Sequence, residues 1–302
     1  MAKVFLHIGY PKTATTTLQK HLFSTSKNLL YLGKPFETFI EAWINEMCYN
    51  TSINYTPDAF RHWFQDCLAK QDFPVFLSHE GFLMPNSQDL QIICERIKKV
   101  FEPCQIVLTL RNQWEITSSF YHSAGLRGLH LFMNSPSLPT FPLSANKWVE
   151  HNFRDKTGPM KFHHKSFFSY LDFNKTVDFL SSKFGKENIS ILHFENFVND
   201  KSLFIKNFEN LLGCNFSAED FARKHENKTF YEGMNLKAYL DRIYLKLSGG
   251  SYASKRKWDS VELFKSSLKK EFRVELEEYF SATNKQFQEK IDVSLKDLGY
   301  PI

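Results

Sequence analysis

The hydrophobic pattern of the chain alternates between short apolar runs and longer segments with helical spacing. In residues 88–101, Leu90, Ile93 and Ile97 recur every three or four positions, which predicts an amphipathic helix. The short runs have the length of buried β-strands and lie at residues 3–8, 29–32, 75–81, 104–110 and 189–193. This alternation predicts an α/β fold in which helices cover both faces of a central parallel β-sheet.

The same spacing predicts further helices at residues 36–48, 57–70, 112–123, 167–184, 201–212, 236–247 and 261–280. The pattern breaks down between residues 123 and 165, where Gly, Pro, Ser and aromatic residues mix, and we expect a functional insertion there. Neither an internal repeat nor a low-complexity linker is present. We therefore expect a single domain over residues 1–302 with a helical C-terminal region from about residue 235.

Composition narrows the class of protein. The 302 residues carry a formal net charge of +5 with dispersed basic residues, which fits an enzyme for anionic ligands better than a nucleic-acid-binding protein. The five cysteines form no C-x-x-C pair, which argues against a disulfide framework and a zinc site and favours a reducing compartment. Because no apolar run is long enough to span a bilayer, we expect a cytoplasmic protein without stable membrane insertion.

The first predicted strand leads directly into a segment rich in hydroxyl groups. Residues 9–19 read Gly-Tyr-Pro-Lys-Thr-Ala-Thr-Thr-Thr-Leu-Gln, a tight turn followed by the start of a helix. Backbone N–H groups at a helix start favour an anion, and a lysine adds a full positive charge. Threonines are poor helix formers, so their density favours an anion site over a simple N-cap with solvated threonines. The candidate residues are Lys12, Thr13, Ala14, Thr15, Thr16 and Thr17.

Polar residues also follow two later strands. Ser78, His79 and Glu80 end one strand, and Arg111 directly follows another. Ligands of open parallel sheets gather at the carboxyl ends of the strands, so we expect these residues to share one site with Lys12. An arginine at the lip of a buried strand suits a bidentate phosphate contact, although a surface ion pair is the ordinary alternative.

Two of these segments resemble the phosphate-binding motifs of sulfotransferases that use 3′-phosphoadenosine 5′-phosphosulfate (PAPS). Residues 11–19 resemble their 5′-phosphosulfate loop. Residues 110–122, Leu-Arg-Asn-x-x-Glu-Ile-x-x-Ser-Phe-Tyr-His, resemble their 3′-phosphate segment, in which a serine follows an arginine by eight positions. Similarity to the middle part of bacterial members extends the resemblance to about residue 230. Where the family usually has glycine this chain has Ala14, and a positive φ there would strain an alanine.

The resemblance implies a P-loop-like sulfotransferase fold and a role for each matched residue. Lys12 would hold the 5′-phosphosulfate and neutralise the bridging oxygen as the sulfuryl group leaves, and residues 13–17 would cradle the same group. Arg111 and Ser119 would bind the 3′-phosphate. The loop at 223–229, with Lys228, resembles the segment that closes over the cofactor, and a plain solvated loop is the alternative. No metal is required, and the product is 3′-phosphoadenosine 5′-phosphate (PAP).

Transfer to an acceptor hydroxyl needs a base, and two adjacent residues are candidates. Sulfuryl transfer, like phosphoryl transfer, depends mostly on positioning and charge stabilisation, so one base and a cationic clamp suffice. Members of the family use a glutamate or a histidine at this strand end. Successive strand residues point to opposite faces, so only one of His79 and Glu80 is expected to reach the acceptor. The Ser-x-Glu pattern before Phe82 favours Glu80.

Acceptor contacts are expected from the end of the helix after Arg111 and from the insertion. The candidates are His122, His130, Trp148 and His163. Aromatic residues there suit a glycan, lipid-linked or small natural-product acceptor, and packing within the segment is the plainer interpretation.

Two other classes of protein remain as alternatives. A P-loop nucleotide kinase or NTPase is disfavoured because the Gly-Lys-Ser/Thr motif and a magnesium-holding aspartate at a strand end are both missing. A non-catalytic nucleotide-binding relative is the second alternative. The candidate base and the phosphate motifs count against it.

Overall fold

The computed structural model describes residues 2–34, 38–83, 89–123, 144–150, 170–216 and 260–302. The centre of this part of the chain is a five-stranded parallel sheet. The strands are β1 (Val4–His7), β2 (Leu30–Tyr31), β3 (Val75–Ser78), β4 (Gln105–Leu110) and β5 (Ile189–His193). Their order in the sheet is β2-β3-β1-β4-β5, and the parallel sheet confirms the fold class predicted from the hydrophobic pattern.

Helices connect the strands and cover the sheet. Within the described ranges, no helix has the length and apolarity needed to cross a membrane. Short 3₁₀ helices lie at Phe23–Thr25, Glu80–Leu83 and Lys186–Asn188. The α-helices are α1 (Thr15–His21), α2 (Thr38–Tyr49), α3 (Asp58–Ala69), α4 (Leu90–Phe101), α5 (Gln113–Ser123), α6 (Ala145–Val149), α7 (Phe173–Phe184), α8 (Phe194–Asn199), α9 (Lys201–Leu212), α10 (Ser260–Ser267) and α11 (Lys270–Gln288).

Both faces of the sheet are buried in hydrophobic clusters. Val4 and Leu6 of β1 pack into one cluster, whereas Phe5 packs into the other, together with Phe23 and Phe208. Alternate strand residues point to opposite faces, so a strand covered on both sides needs an uninterrupted apolar run. The apolar sequence of β1 therefore follows from its position in the middle of the sheet.

The long C-terminal helix predicted at residues 261–280 is wrong in one respect, because the chain forms two helices there, α10 and α11. The side chain of Asn146 occupies the break: its Nδ2 donates to the carbonyl of Ser267 at 3.2 Å, and its Oδ1 accepts from the N–H of Lys269 at 2.7 Å. Backbone groups freed by the break therefore keep partners. The apolar stripe continues across it, since Phe264, Leu268 and Phe272 are all buried.

The division into one domain with an insertion stays a prediction. The predicted helix at 236–247 and most of the predicted insertion lie outside the described residues. The part of the insertion that is described is α6, where Trp148 and Val149 are fully buried in the main hydrophobic cluster.

Candidate active site

The three predicted strand ends meet at one edge of the sheet. Strand β1 lies between β3 and β4, and His7 at its end is in register with Ser78 and Val107. The loop after β1 therefore has the residues that follow β3 on one side and those that follow β4 on the other. Carboxyl ends of parallel strands form ligand sites in this way.

The loop between β1 and α1 contains two non-glycine residues with positive φ. These are Lys12, with φ 71°, and Ala14, with φ 55° and ψ 20°. The left-handed region costs a residue with a Cβ about 1–2 kcal/mol. Ala14 therefore has the backbone strain that we expected for an alanine if this position had a positive φ.

Two hydroxyl groups of the loop, those of Thr13 and Thr15, donate hydrogen bonds to other groups of the protein. Thr13 is fully buried, and its Oγ1 donates to the carbonyl of Tyr10 at 2.5 Å, which closes the turn. The hydroxyl of Thr15 donates to Oε2 of Glu80 at 2.7 Å. Thr17 is buried and Thr16 is half-buried on the first turn of α1. The cradle of residues 13–17 around an anion stays a prediction.

Lys12 contacts Arg111, which follows β4, and Phe120, which lies on α5. Its Nζ lies 5.7 Å from the ring centroid of Phe120, the residue after the half-buried Ser119. Its carbonyl oxygen accepts a hydrogen bond of 2.5 Å from Nη1 of Arg111. The backbone of Lys12 is thus adjacent to the side chain of Arg111, the other candidate anion-binding residue.

Arg111 is held by three groups of the protein. Besides the Lys12 carbonyl, its Nη2 pairs with Oε2 of Glu115, one helical turn along α5. Its guanidinium carbon lies 4.5 Å from the ring centroid of Phe194, which follows β5. Its Nε is buried and has no hydrogen-bond partner among the described residues. Burial of an unused donor of a cation is unfavourable unless a ligand supplies an acceptor.

Glu80 opens the 3₁₀ helix after β3 and faces the loop. Its Oε2 accepts from Thr15, and its Oε1 lies 3.8 Å from Nζ of Lys34, the cation that follows β2. About a quarter of the Glu80 side chain is exposed (28%), so a small acceptor can reach it. Lys34 was not among the sequence candidates, although its position after a strand end could have identified it.

His79 is a buried, neutral side chain. Burial, with a smaller contribution from the positive charge of Lys34, lowers its pKa to about 3. Its Nδ1 accepts a hydrogen bond of 2.9 Å from the N–H of Gly81. A neutral imidazole that accepts at Nδ1 carries its proton at Nε2, so no lone pair remains there for an acceptor proton. Strand alternation does not separate His79 from Glu80, because β3 ends at Ser78.

The acceptor candidates are placed only in part. His122 is buried on α5 with Nδ1 2.7 Å from the carbonyl of Ser118, and burial lowers its pKa. Trp148 is fully buried and packs against Tyr121 and Phe264, so its expected acceptor contact stays a prediction. The remaining candidates lie outside the described residues: His130, His163 and Lys228.

A buried polar network supports the edge of the sheet beneath the loop. Nδ1 of His7 lies 2.8 Å from Oγ of Ser78, and Nε2 lies 2.8 Å from Oγ1 of Thr109. The side-chain amide of Gln19 donates to the carbonyl and to Oγ of Ser78, at 3.1 and 3.0 Å. The network joins β1, β3, β4 and α1, although Oε1 of Gln19 has no hydrogen-bond partner among the described residues. Buried hydrogen bonds between these elements favour one arrangement of them.

Metal-binding groups are not clustered in the part of the chain that the structure describes: no set of three or more His, Cys, Asp or Glu side chains there could hold an ion. The site in these residues consists of cations, hydroxyls and two carboxylates, Glu80 and Glu115. Such a set suits an anionic organic ligand.

Comparisons with known proteins identify the fold of the chain. The sequence matches no protein-family model and no curated protein. The structure is similar to a sulfotransferase from Alicyclobacillus acidocaldarius, with 13% identity, 99% of each chain covered and a TM-score of 0.53. More distant similarities are to mouse sulfotransferase SULT7A1 complexed with PAP (13% identity, 99% and 88% covered, TM-score 0.38) and to a sulfotransferase domain from the curacin biosynthetic pathway (15%, 88% and 96%, 0.38). The chain therefore has the sulfotransferase fold, which confirms the sequence resemblance at the level of the fold.

Proposed function

We propose that this protein transfers a sulfuryl group from PAPS to a hydroxyl group of an acceptor. One observation carries the proposal: the loop after β1 contacts the candidate base on one side and the candidate 3′-phosphate residue on the other. Thr15 binds Glu80 at 2.7 Å, and the carbonyl of Lys12 binds Arg111 at 2.5 Å. PAPS has an anionic group at each end, and the acceptor hydroxyl has one proton to lose. Transfer between them requires a base on one side of the loop and a cation for the 3′-phosphate on the other.

The candidate anion-binding residues have side chains that suit the two anionic groups of PAPS. Lys12 supplies a positive charge for the 5′-phosphosulfate, and the half-buried Thr16 in the first turn of α1 is a candidate hydroxyl donor to the same group. Arg111 supplies a planar guanidinium for the 3′-phosphate, including the buried Nε that has no partner among the described residues. Arginine forks match phosphate oxygens in a bidentate manner. Ser119 lies half-buried on α5, eight residues after Arg111, and is the candidate for an additional hydroxyl contact with the 3′-phosphate.

In the proposed reaction, the acceptor oxygen forms a bond to sulfur while the bond from sulfur to the bridging oxygen breaks. The electron pair of the broken bond stays on the phosphate oxygen of PAP, where Lys12 neutralises the new charge. Glu80 takes the proton of the acceptor hydroxyl. Positioning and charge stabilisation supply most of the acceleration in such transfers, so the chain needs no further nucleophile.

Glu80 is a better base than His79 for a geometric reason. Glu80 presents a partly exposed carboxylate, whereas the Nδ1 of buried His79 is already an acceptor for Gly81. The carboxylate can accept a proton without losing a backbone hydrogen bond. Lys34, at 3.8 Å, faces the charged form of this carboxylate.

The function is tested by ligand binding and by transfer. We expect PAP to raise the thermal unfolding temperature without magnesium, and we expect labelled sulfate to move from PAPS to at least one member of an acceptor panel of glycans, lipid-linked sugars and small alcohols. A magnesium-dependent response to ATP alone would instead support the nucleotide kinase or NTPase alternative. Binding of PAP without transfer to any acceptor would support the non-catalytic alternative.

A further inference from the structure

The junction between β4 and α5 is held through Asn112, the residue between Arg111 and the helix. Its Oδ1 accepts from the N–H of Trp114 at 2.9 Å, so the side chain caps α5. Its Nδ2 donates to the carbonyl of Gly299, near the C-terminus. Its backbone N–H donates to Oε1 of Glu195 at 2.7 Å. Contacts from two distant parts of the chain therefore determine where α5 begins.

Glu195 reaches this junction from the neighbouring strand. The register of β4 and β5 pairs Leu110 with His193, which places the residues that follow these strands side by side. Phe194 lies against the guanidinium of Arg111, and Glu195 is bound to the next residue, Asn112. The positive charge of Arg111 also acts on the Glu195 carboxylate. Glu195 is therefore a second acidic neighbour of the 3′-phosphate candidate.

Tyr300 holds the other oxygen of this carboxylate. Its hydroxyl donates to Oε2 of Glu195 at 3.0 Å, and only 4% of the residue is exposed. Its ring packs edge-on against His193 at 5.9 Å. The following residue is also fixed, since Nδ2 of Asn284 donates to the carbonyl of Pro301 at 2.9 Å. Asn284 in turn exchanges two hydrogen bonds with the side chain of Gln113, the first residue of α5.

We propose that Tyr300 is a positioning residue for 3′-phosphate recognition, which it serves by keeping the Glu195 carboxylate on Asn112 and away from Arg111. This inference rests on the proposed function, because it concerns the same donor site. Without the hydroxyl, Oε2 of Glu195 loses its hydrogen-bond donor, and Arg111 is the described cation whose charge acts on this carboxylate. A guanidinium paired with Glu195 is less available to the 3′-phosphate.

The test compares two nucleotides that differ only in the 3′-phosphate. Dissociation constants of PAP and of adenosine 5′-phosphate are measured by calorimetry for the wild type and for Tyr300→Phe. The constant for adenosine 5′-phosphate divided by the constant for PAP reports recognition of the 3′-phosphate and is insensitive to a loss of folded protein. We expect this ratio to fall about fivefold or more in Tyr300→Phe. We expect the KM for PAPS to rise by the same factor while kcat at saturating PAPS is unchanged.

Three variants separate this role from general destabilisation. In Glu195→Gln the amide oxygen can accept from Asn112 and the amide nitrogen can donate to the Tyr300 hydroxyl, so we expect the ratio to be retained. The double variant Tyr300→Phe/Glu195→Gln carries no carboxylate to compete for Arg111, so we expect it to restore the ratio lost in Tyr300→Phe. Tyr55→Phe is the matched control, since the buried Tyr55 hydroxyl has no hydrogen-bond partner in the described ranges and its ring lies against Arg96.

The outcomes distinguish the inference from the proposed function. An unchanged ratio in Tyr300→Phe, or an equal loss of affinity for both nucleotides, overturns the positioning role and leaves the function standing. Failure of the double variant to restore the ratio also overturns it. A wild-type protein that shows no preference for PAP over adenosine 5′-phosphate overturns the proposed function and the inference together.

Discussion

The hydroxyl of Thr15 donates a hydrogen bond of 2.7 Å to Oε2 of Glu80, so the candidate anion-binding loop contacts the candidate base directly. A threonine hydroxyl has a single hydrogen to donate. It cannot serve Glu80 and a bound phosphosulfate at the same time. Loading of the loop and release of the carboxylate are therefore expected to occur together.

Replacement of Thr15 by valine should lower the rate of transfer. The isosteric side chain keeps the shape of the loop but removes the hydroxyl that Glu80 would release to the bound phosphosulfate, and we expect kcat to fall about tenfold. Thr15→Ser retains the hydroxyl and should stay within about twofold of the wild type. Steady-state kinetics with labelled PAPS measure both. Wild-type kinetics in Thr15→Val would remove this hydrogen bond from the mechanism.

Replacement of Glu80 by glutamine should abolish transfer without loss of the nucleotide. The amide keeps an oxygen for Thr15 but cannot take a proton, and loss of a general base lowers the rate about 10²–10⁴-fold. Calorimetry should give a dissociation constant for PAP within about twofold of the wild type. His79→Ala is the comparison variant. If Glu80→Gln transferred sulfate normally and His79→Ala did not, the base would be His79.

Removal of the Glu115 carboxylate should strengthen binding of PAP. Glu115 pairs with Arg111 and is 44% exposed, so the ion pair is a weak competitor of the 3′-phosphate. Exposed pairs of this kind are worth about 0.2–1 kcal/mol, which corresponds to an affinity gain of up to about fivefold in Glu115→Gln. Glu102→Gln, which removes a pair with Lys98 on α4, is the control and should change nothing. Weaker binding in Glu115→Gln would mean that Glu115 orients Arg111 instead.

The left-handed conformation of Ala14 predicts an unusual effect of glycine. At φ 55°, Ala14→Gly removes backbone strain, and the greater freedom of the unfolded chain offsets only part of the gain. We expect the free energy of unfolding to rise by about 0.5–1 kcal/mol. The same substitution at Ala42, exposed in the middle of α2, should lower it by about 1 kcal/mol. Denaturant unfolding measures both, and a loss of stability in Ala14→Gly would contradict the strain.

Buried histidines should make the protein less stable in acid. Burial lowers the pKa of His7 from its ordinary value of 6.5 to about 3. Between these values the unfolded chain binds a proton that the folded chain does not, so the free energy of unfolding falls as the pH falls. The slope is up to about 1.4 kcal/mol per pH unit for each such histidine.

Denaturant unfolding between pH 7.5 and 4.5 measures this slope. His7→Asn should reduce it by the share of one histidine, whatever the stability of the variant at neutral pH. His62→Asn, at an exposed position, should leave it unchanged. An equal slope in the wild type and His7→Asn would show that His7 is protonated in the folded protein.

The sequence was sufficient for the sheet and for the convergence of Lys12, Glu80 and Arg111, because apolar runs and strand ends are local features. The break between α10 and α11 was not predictable, since the apolar stripe continues through it and Asn146, more than a hundred residues away, stabilises it. The contacts of Tyr300 were hidden for the same reason. Hydrogen bonds between distant residues leave no periodic signal in the sequence.

The position of β1 in the middle of the sheet divides the proposed site into two halves. Glu80 and Lys34 follow β3 and β2 on one side, and Arg111 and Phe194 follow β4 and β5 on the other. The two halves meet at the loop that contains Lys12 and Thr15. On the proposed function, Arg111 binds the 3′-phosphate of the sulfuryl donor on one side of the loop, and Glu80 faces the acceptor hydroxyl on the other. New acceptors can then be acquired in evolution, or by engineering, through changes near β2 and β3 that leave nucleotide recognition intact.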